Sequence, residues 1–304
     1  MIVDLFAGPG GWSEGLRLLD ERLHATEIGL EWDADACATR CAAGHKTIQT
    51  DVATYDCARF TGATGLIASP PCQDFSWAGT KAGLEGERGQ LIHEVLRWTE
   101  AIRPQWIACE QVPQALPVWM DFQETLQGWG YATWAGVLNA ADYGVAQARE
   151  RSFLIAHTDP DRARPPTPTH NHNPQEDLFG GRLQPWVPMA AALDWNAEVM
   201  RGAQVNTGQR WKVRGDRSTA QTFDPWTSPS KTITGKSGGQ WHITVDGIVV
   251  ERLTPASTLR LQSFPDGYPV QGNETSQFKQ IGNAVPPLLA ASVLAVVTGD
   301  DARR

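Results

Sequence analysis

Along residues 1–157, short β-branched apolar runs alternate with stretches whose apolar positions recur every three or four residues. That alternation predicts a doubly wound, mostly parallel α/β sheet with helices on both faces. The expected strands cover 2–6, 25–31, 47–50, 65–68, 106–110, 133–139 and 152–157. Between them, helical stripes run through Trp12, Leu16, Leu19 and Leu23, and through Leu91, Val95, Trp98 and Ile102. The last two strands follow one another with no full helix between them, which leaves room for one of the pair to run antiparallel.

From 159 to 188 the pattern fades into Pro, Thr, His and Asn, with Pro165-Pro166 and Pro168, and reads as a linker. Residues 189–250 are rich in Trp, Gly, Thr and Arg and hold only short strand-like pieces such as Thr232-Ile233-Thr234 and Ile243-Thr244-Val245. Helical periodicity returns over 255–261 and after Gly282. The apolar run 284–297 is interrupted by Pro286 and Pro287 and is too short to cross a bilayer, so it reads as a buried terminal helix. The expected organisation is a large lobe of 1–158 completed by 276–304, the linker 159–188, and a smaller mixed lobe of 189–275.

Composition fits a globular protein without an export signal, because Met1-Ile2-Val3-Asp4 runs directly into a strand. Cys37, Cys41, Cys57, Cys72 and Cys109 make an odd count with no second pair at zinc spacing, which points to free thiols in a reducing, cytoplasmic compartment and to no metal. Cys37 and Cys41, four apart, read as helix packing. A net charge of −8 argues against a protein that coats nucleic acid indiscriminately. Its distribution changes that picture: residues 1–158 carry a net of −9, whereas 201–236 carry +5. Arg201, Arg210, Lys212, Arg214, Arg217, Lys231 and Lys236 in that stretch form a phosphate-facing patch or, on the plainer reading, a solvated mixed surface.

Four signals carry chemistry. Asp4-Leu5-Phe6-Ala7-Gly8-Pro9-Gly10-Gly11 is a strand running into a glycine-rich turn and a helix, with Glu31 ending the next strand, a pattern suited to a ribose-bearing ligand. Its spacing is not G-x-G-x-x-G, which disfavours a dinucleotide site. Ser69-Pro70-Pro71-Cys72-Gln73-Asp74-Phe75-Ser76 places a cysteine on a proline-stiffened loop at the carboxyl edge of the sheet, where a nucleophile would face the same crevice. Glu110 ends the following strand, available for proton transfer or for a structural ion pair. Gln147-Ala148-Arg149-Glu150-Arg151 puts alternate arginines on one face of an extended segment, functional or structural alike.

Taken in order, these blocks resemble those of the C5-cytosine DNA methyltransferases, a family of Rossmann-like S-adenosylmethionine-dependent enzymes. The resemblance extends to Glu31-Trp32, Asp51-Val52, Arg252-Leu253-Thr254-Pro255, the stretch from Gln262 to Tyr268, and Gln280-Ile281-Gly282-Asn283-Ala284-Val285. It covers 1–157 and 251–304; the segment between corresponds to the family's variable target-recognition region. It implies Cys72 as the nucleophile, Glu110 as the group acting at cytosine N3, and Arg149 and Arg151 as holders of the base. Phe6, Gly8, Gly11, Glu31, Trp32, Asp51, Val52, Pro71, Leu91, Asn283 and Val285 fall around S-adenosylmethionine. Gln73 and Ser76, on a loop of 73–89 that closes over an extruded base, join Arg210, Lys212, Arg214, Arg217, Lys231 and Lys236 as the expected DNA contacts. The implied partner is double-stranded DNA, with the protein a monomer, off the membrane, and accompanied or not by a separate restriction endonuclease.

Two positions depart from the family's pattern. Gln111 stands where asparagine usually follows the glutamate, a tolerated amide exchange, and Asp74 stands where a small or neutral residue usually follows the glutamine. An acid beside the nucleophile raises its pKa and repels phosphate unless it is paired, so Asp74 is expected to point out of the pocket or to adjust base, strand or donor preference. Three rival readings are a tRNA cytosine methyltransferase on the same blocks, a non-catalytic accessory homologue, and a nicotinamide-dependent dehydrogenase. The last leaves the cysteine and arginine blocks unused.

Overall fold

The computed structural model describes residues 1–71, 89–174, 183–198, 200–206, 222–235, 241–246 and 248–300. The chain divides into two compact units. One comprises Met1–Asn139, Glu150–Thr167 and Pro287–Arg304, the other Ala140–Arg149 and Pro168–Pro286.

In the first unit, seven strands among the described residues form one sheet: β1 (Ile2–Leu5), β2 (Glu27–Glu31), β3 (Thr47–Gln49), β4 (Gly65–Ala68), β5 (Trp106–Gln111), β6 (Ala132–Asn139) and β7 (Glu150–His157). Their order is β3-β2-β1-β4-β5-β7-β6. The first five pair in parallel. β7 is antiparallel to both of its neighbours, so it is the second member of the final pair that reverses. Because the order turns at β1 and β4, the carboxyl ends of these strands open a crevice of the kind that binds ligands in doubly wound sheets.

The strands form where β-branched and small apolar residues cluster, and their middles are sealed: Val3, Leu5, Leu66, Ile107 and Leu154 are fully buried. Two glycines serve this packing. A Cβ on Gly65 would lie 2.1 Å from the indole of its cross-strand neighbour Trp106, and one on Gly29 would lie 2.1 Å from the Arg40 guanidinium. Glycine in these strands is therefore room for a neighbouring side chain rather than a bend.

Helices α1 (Gly11–Leu19), α2 (Glu21–His24), α3 (Ala34–Ala42), α4 (Glu94–Ile102) and α5 (Leu116–Gly128) cover the sheet. The expected stripe from Trp12 to Leu23 is split: Asp20 is extended and its carboxylate accepts from the Arg22 amide, which ends α1 and starts α2. The stripe on α4 behaves as expected, with Val95, Trp98 and Ile102 buried and Leu91 half-buried in the preceding 3-10 turn. The C-terminal helix, Pro287–Thr298, is buried along most of its length in this unit. It lies against α1 so closely that a Cβ on Gly15 would sit 2.6 Å from the Ala290 Cβ.

One polar cluster bridges α1, α2 and the loop after α3. His24 Nε2 and His45 Nδ1 are 2.8 Å apart, with Arg17 Nη2 3.4 Å from each. His45 Nε2 is 3.1 Å from the Glu14 carboxylate, and the Glu21 carboxylate is 3.8 Å from His24. Burial, reinforced by Arg17 and His45, lowers the His24 pKa below its ordinary 6.5. The unfolded chain therefore takes up a proton at a pH where the folded chain does not, and stability present above about pH 6.5 is lost as pH falls through that region. Thermal unfolding should show the melting temperature dropping between pH 7.5 and 5.5 (~2 units, chosen to bracket the ordinary imidazole range). His24→Gln should flatten the drop. A slope indifferent to His24 defeats this account.

The second unit carries β8 (His170–Asn171) paired in parallel with β9 (Gln184–Pro185). It also holds a mixed-length antiparallel sheet of β10 (Gln204–Asn206), β11 (Thr222–Phe223), β12 (His242–Val245) and β13 (Ile248–Arg252), ordered β11-β10-β12-β13. Helices α6 (Met189–Ala192), α7 (Pro255–Leu261) and α8 (Glu274–Asn283) complete it. Met189, Val205, Phe223, Ile233, Trp241, Ile243, Leu253 and Leu261 form its core. The unit boundaries differ from those read in the sequence. Residues 140–149, the described residues of 168–188 and α8 all fall in the second unit.

Candidate active site and cofactor crevice

At the end of β1 the backbone turns sharply. Phe6 has φ 57°, Gly8 54° and Gly10 103°, so the loop needs left-handed residues at alternate positions. A Cβ on Gly8 would meet nothing within 4 Å, so the glycine is required for conformation and leaves an open cradle. The turn is fixed from β2. The Glu31 carboxylate, almost fully buried, accepts from the amides of Gly8 at 2.8 Å, Trp32 at 2.9 Å and Asp33 at 2.8 Å. Trp32 itself is 63% exposed, unusual for an indole that ends a buried strand. Asp51, past β3, is exposed, while the Val52 carbonyl accepts from Arg97 at 2.6 Å and from the Trp98 indole at 3.3 Å, anchoring α4 beneath it.

The first residues of the loop after β4 are tied down. Ser69 accepts from the Trp12 indole at 2.9 Å and donates its amide to the Leu5 carbonyl at 3.2 Å. Gln111, 1% exposed, donates from Nε2 to the Pro70 carbonyl at 2.9 Å while its Oε1 accepts from the Val112 amide at 2.7 Å. The amide that departs from the family's pattern thus clamps the segment leading into Cys72. Gln111→Ala removes this clamp and leaves the buried Pro70 carbonyl without its donor. We expect turnover to fall about tenfold or more, since misplacement near 1 Å costs on the order of 10²-fold, with cofactor affinity retained. Steady-state kinetics on the purified variant checks this.

Next to that clamp, Glu110 is 5% exposed and its Oε1 lies 3.0 Å from Arg151 Nε. Arg151 also donates Nη1 to the Glu150 carbonyl at 2.6 Å. The strand register that pairs Glu110 with Phe153 brings Arg151, two residues before Phe153, to the carboxyl end of β5. An acid and a guanidinium held together at this edge can donate to, accept from and neutralise a planar heterocycle.

Arg149 is arranged differently from the expectation that it holds the base. Its side chain is 1% exposed and belongs to the second unit, where Nη1 donates to the Ile233 carbonyl at 2.8 Å and Nη2 to the carbonyls of Gly282 at 2.8 Å and Ala284 at 3.1 Å. Both terminal nitrogens are spent on backbone. Asn283 and Val285 sit in that unit as well. Lys231 is exposed, with its ammonium 5.8 Å from the Phe223 ring. Cys72, Gln73, Asp74, Ser76, Arg210, Lys212, Arg214, Arg217 and Lys236 lie outside the described residues.

Of the other thiols, Cys37, Cys57 and Cys109 are buried packing residues, whereas Cys41 is exposed on α3, against the expectation that it packs. Cys109 is fully buried and its pKa is pushed far up by desolvation. Burial pushes the Cys37 thiol up to about 11, and it donates to the Glu31 carbonyl at 3.3 Å. Thiols held protonated in this way are poor nucleophiles.

Residues 1–298 match the family model of the C-5 cytosine-specific DNA methylases. The chain belongs to this family. The methylase is similar to the Type II methyltransferase M1.HphI of Haemophilus parahaemolyticus, 28% identical over 328 residues that cover 97% of this chain and 86% of that protein. It is similar also to the Type II methyltransferase M.NgoFVII of Neisseria gonorrhoeae, 29% identical over 339 residues with the same two coverages, 97% and 86%. Among solved structures, the Entamoeba histolytica methyltransferase EhMeth superposes with a TM-score of 0.69 at 14% identity over 98% of each chain, a likeness of fold.

S-adenosylmethionine is the family's methyl donor, and the crevice of this methylase fits it. The open cradle at Gly8 admits a close ligand, the exposed Trp32 indole offers a face for stacking a purine, and the exposed Asp51 carboxylate is available to a polar edge. Glu31 is the one member whose carboxylate already accepts three amides; a ribose diol would take up its remaining lone pairs.

Sequence reasoning missed what lies under this loop. Asp4, Glu27 and Arg40 are fully buried together: Arg40 Nη2 binds Glu27 Oε1 at 2.7 Å, Nη1 binds Ser13 Oγ at 2.9 Å and the Ala7 carbonyl at 3.4 Å, and Asp4 is 3.8 Å away. Neither Asp4 carboxylate oxygen has a hydrogen-bond partner among the described residues. Burial outweighs Arg40 and holds the Asp4 pKa well above the usual carboxylate range. A signal was present: Arg40 interrupts the buried face of α3 that Ala36 and Cys37 begin, opposite the strand glycine Gly29.

Proposed function

We propose that this methylase transfers a methyl group from S-adenosylmethionine to C5 of an extruded cytosine in a specific double-stranded DNA sequence, through a transient bond between Cys72 and C6. The observation that carries this reading is the Glu110–Arg151 pair at 3.0 Å, set beside a loop that Gln111 clamps two residues before Cys72.

Cytosine C5 is a weak nucleophile, and the ring must be activated before it can react. The Cys72 thiolate adds at C6, forming the C–S bond and pushing the ring electrons toward N3 and C5. Glu110 meets the charge that develops at N3 with a proton or hydrogen bond, and Arg151 holds Glu110 in place and neutralises the base from the side. S-adenosylmethionine, when bound, supplies a methyl on a sulfonium sulfur, an electrophile that the activated C5 can reach. Loss of the C5 proton to a base then restores the double bond, and the C6–S bond breaks to return the thiolate. Phe6, Gly8, Gly11, Glu31, Trp32, Asp51, Val52, Pro71, Leu91, Asn283 and Val285 would hold the donor. Gln73, Ser76 and the basic residues Arg210, Lys212, Arg214, Arg217, Lys231 and Lys236 would face DNA.

DNA is favoured over tRNA because the long segment between the matched blocks offers surface enough to read a groove. The relatives carry the name Type II methyltransferase, which supports a role in a restriction–modification system, the methylase acting as a monomer in the cytoplasm of a bacterial cell or phage-infected host, apart from any endonuclease. The test is sequencing of 5-methylcytosine in DNA from a host expressing the chain, with Cys72→Ser as control. A 5-fluorocytosine duplex of the site so found should become irreversibly joined to Cys72. Folded protein that leaves no modified base, or a duplex never linked to that residue, overturns the reading.

A further inference from the structure

Three backbone segments of the second unit meet at one side chain. The segment 146–149 pairs with Ser230, whose amide donates to the Ala146 carbonyl at 2.9 Å and whose carbonyl accepts from Ala148 at 2.8 Å. Gln147 Oε1 accepts from the Ile233 amide at 2.9 Å, and Thr232 Oγ1 donates to the Ala148 carbonyl at 2.9 Å. The end of α8 comes in so close that a Cβ on Gly282 would lie 2.3 Å from the Gly235 nitrogen. Gln262, fully buried, donates to the Ile281 carbonyl at 2.6 Å from the other side. Arg149 fills the middle, its two terminal nitrogens on carbonyls of residues 233, 282 and 284.

Two of those carbonyls flank Asn283, a position of the cofactor block. The third belongs to the segment that carries Lys231, a position of the DNA-facing patch. Charge-assisted bonds from one planar group fix two carbonyl directions at once, which an ammonium at a single point cannot do. A guanidinium so engaged, in a side chain only 1% exposed, is committed to these backbone carbonyls.

We propose that Arg149 is a positioning residue which locks the cofactor block to the recognition segment, so that Arg151 alone of the two arginines touches the target cytosine. This rests on the methyltransferase reading above. Without the guanidinium, the backbone around Asn283 loses the bonds that orient it, and cofactor affinity falls; chemistry at saturation depends on Arg151 and Glu110 and falls less.

The experiment uses the full chain and three variants: Arg149→Met, Arg149→Lys and Gly282→Ala, the last disturbing the same junction with the arginine intact. Binding of S-adenosylhomocysteine is measured by titration calorimetry, and single-turnover methylation of unmethylated genomic DNA is measured at saturating S-adenosylmethionine, with Arg151→Ala alongside. The expected result is a loss of S-adenosylhomocysteine affinity of about tenfold, within the usual range of coupling between sites, in Arg149→Met and Gly282→Ala. Arg149→Lys should recover part of it, and the saturated rate should drop less than affinity in each. Should Arg149→Met fail to fold, Arg149→Lys and Gly282→Ala carry the comparison. Affinity equal to that of the unaltered chain in every soluble variant overturns the proposal, as does a saturated rate that collapses like that of Arg151→Ala while affinity holds. An unaltered chain that neither binds S-adenosylhomocysteine nor methylates DNA refutes the methyltransferase reading instead, and is recognisable as such.

Discussion

Glu110→Gln should lower single-turnover methyl transfer by about 10²–10⁴-fold, the usual worth of a positioned acid or base, while leaving the binding of S-adenosylhomocysteine unchanged. The substitution keeps volume and planarity, so the end of β5 stays packed, and an amide can still accept a hydrogen bond from Arg151. What disappears is the carboxyl proton that N3 requires and the negative charge that Arg151 faces at 3.0 Å. An amide nitrogen can donate to N3 but cannot protonate it, so some activity remains. Arg151→Met should produce a comparable loss for the complementary reason, because it leaves a nearly buried carboxylate without its cation. The pair should be non-additive: the double variant should be hardly slower than the worse single one, since both act on the same developing charge. A Glu110→Gln enzyme within tenfold of the unaltered rate would remove Glu110 from the chemistry, whatever its place at the sheet edge.

The parallel sheet was legible because its strands are dense in Val, Ile and Leu and bounded by glycine, acid and proline, so each apolar run had one sensible conformation. Glu31, Glu110 and the glycine turn were legible for a related reason: in a doubly wound sheet the carboxyl end of a strand is an address, and these residues stand at or beside such ends. The arginine pair was less legible. Alternation at Gln147, Arg149 and Arg151 implies a common face only if the backbone is extended throughout, and β7 starts at Glu150. The two arginines therefore fall on either side of a unit boundary, one on Glu110 and the other on three carbonyls. Local periodicity cannot express that, since the acceptors lie 84 to 135 residues away. The arginine beneath the cofactor loop escaped notice for a similar reason. Its partners include residues of β1, α1, β2 and β3, and only its intrusion into the buried face of α3 hinted at them.

That buried arginine carries the largest stability effect expected here. Arg40→Met should destabilise the fold by about 3–5 kcal/mol, the usual cost of removing one partner from a buried ion pair, since Asp4, Glu27 and Arg40 have no access to solvent. Methionine fills much of the space above Gly29, so the loss reports charge rather than a cavity. The pH dependence identifies the cause. An acid whose folded pKa is raised binds its proton more tightly in the folded state, so its stability contribution is complete below the unfolded pKa and is lost as pH rises through the folded one. Asp4 is already in that condition, and without Arg40 the buried carboxylate of Glu27 loses its cation as well. The deficit of Arg40→Met relative to the unaltered chain should therefore be greatest at alkaline pH and shrink on acidification, as Asp4 takes up its proton. Adding Glu27→Gln to Arg40→Met should recover part of the loss at neutral pH, because one stranded charge is gone. The Ala7 carbonyl also loses its contact with Arg40, so the turn at Gly8 should loosen and cofactor affinity should fall with stability. Urea unfolding of the single and double variants across this pH range decides the matter: a deficit under about 1 kcal/mol, the level of an exposed pair, or one that does not change with pH, would mean that the buried cluster is held by packing and not by its charges.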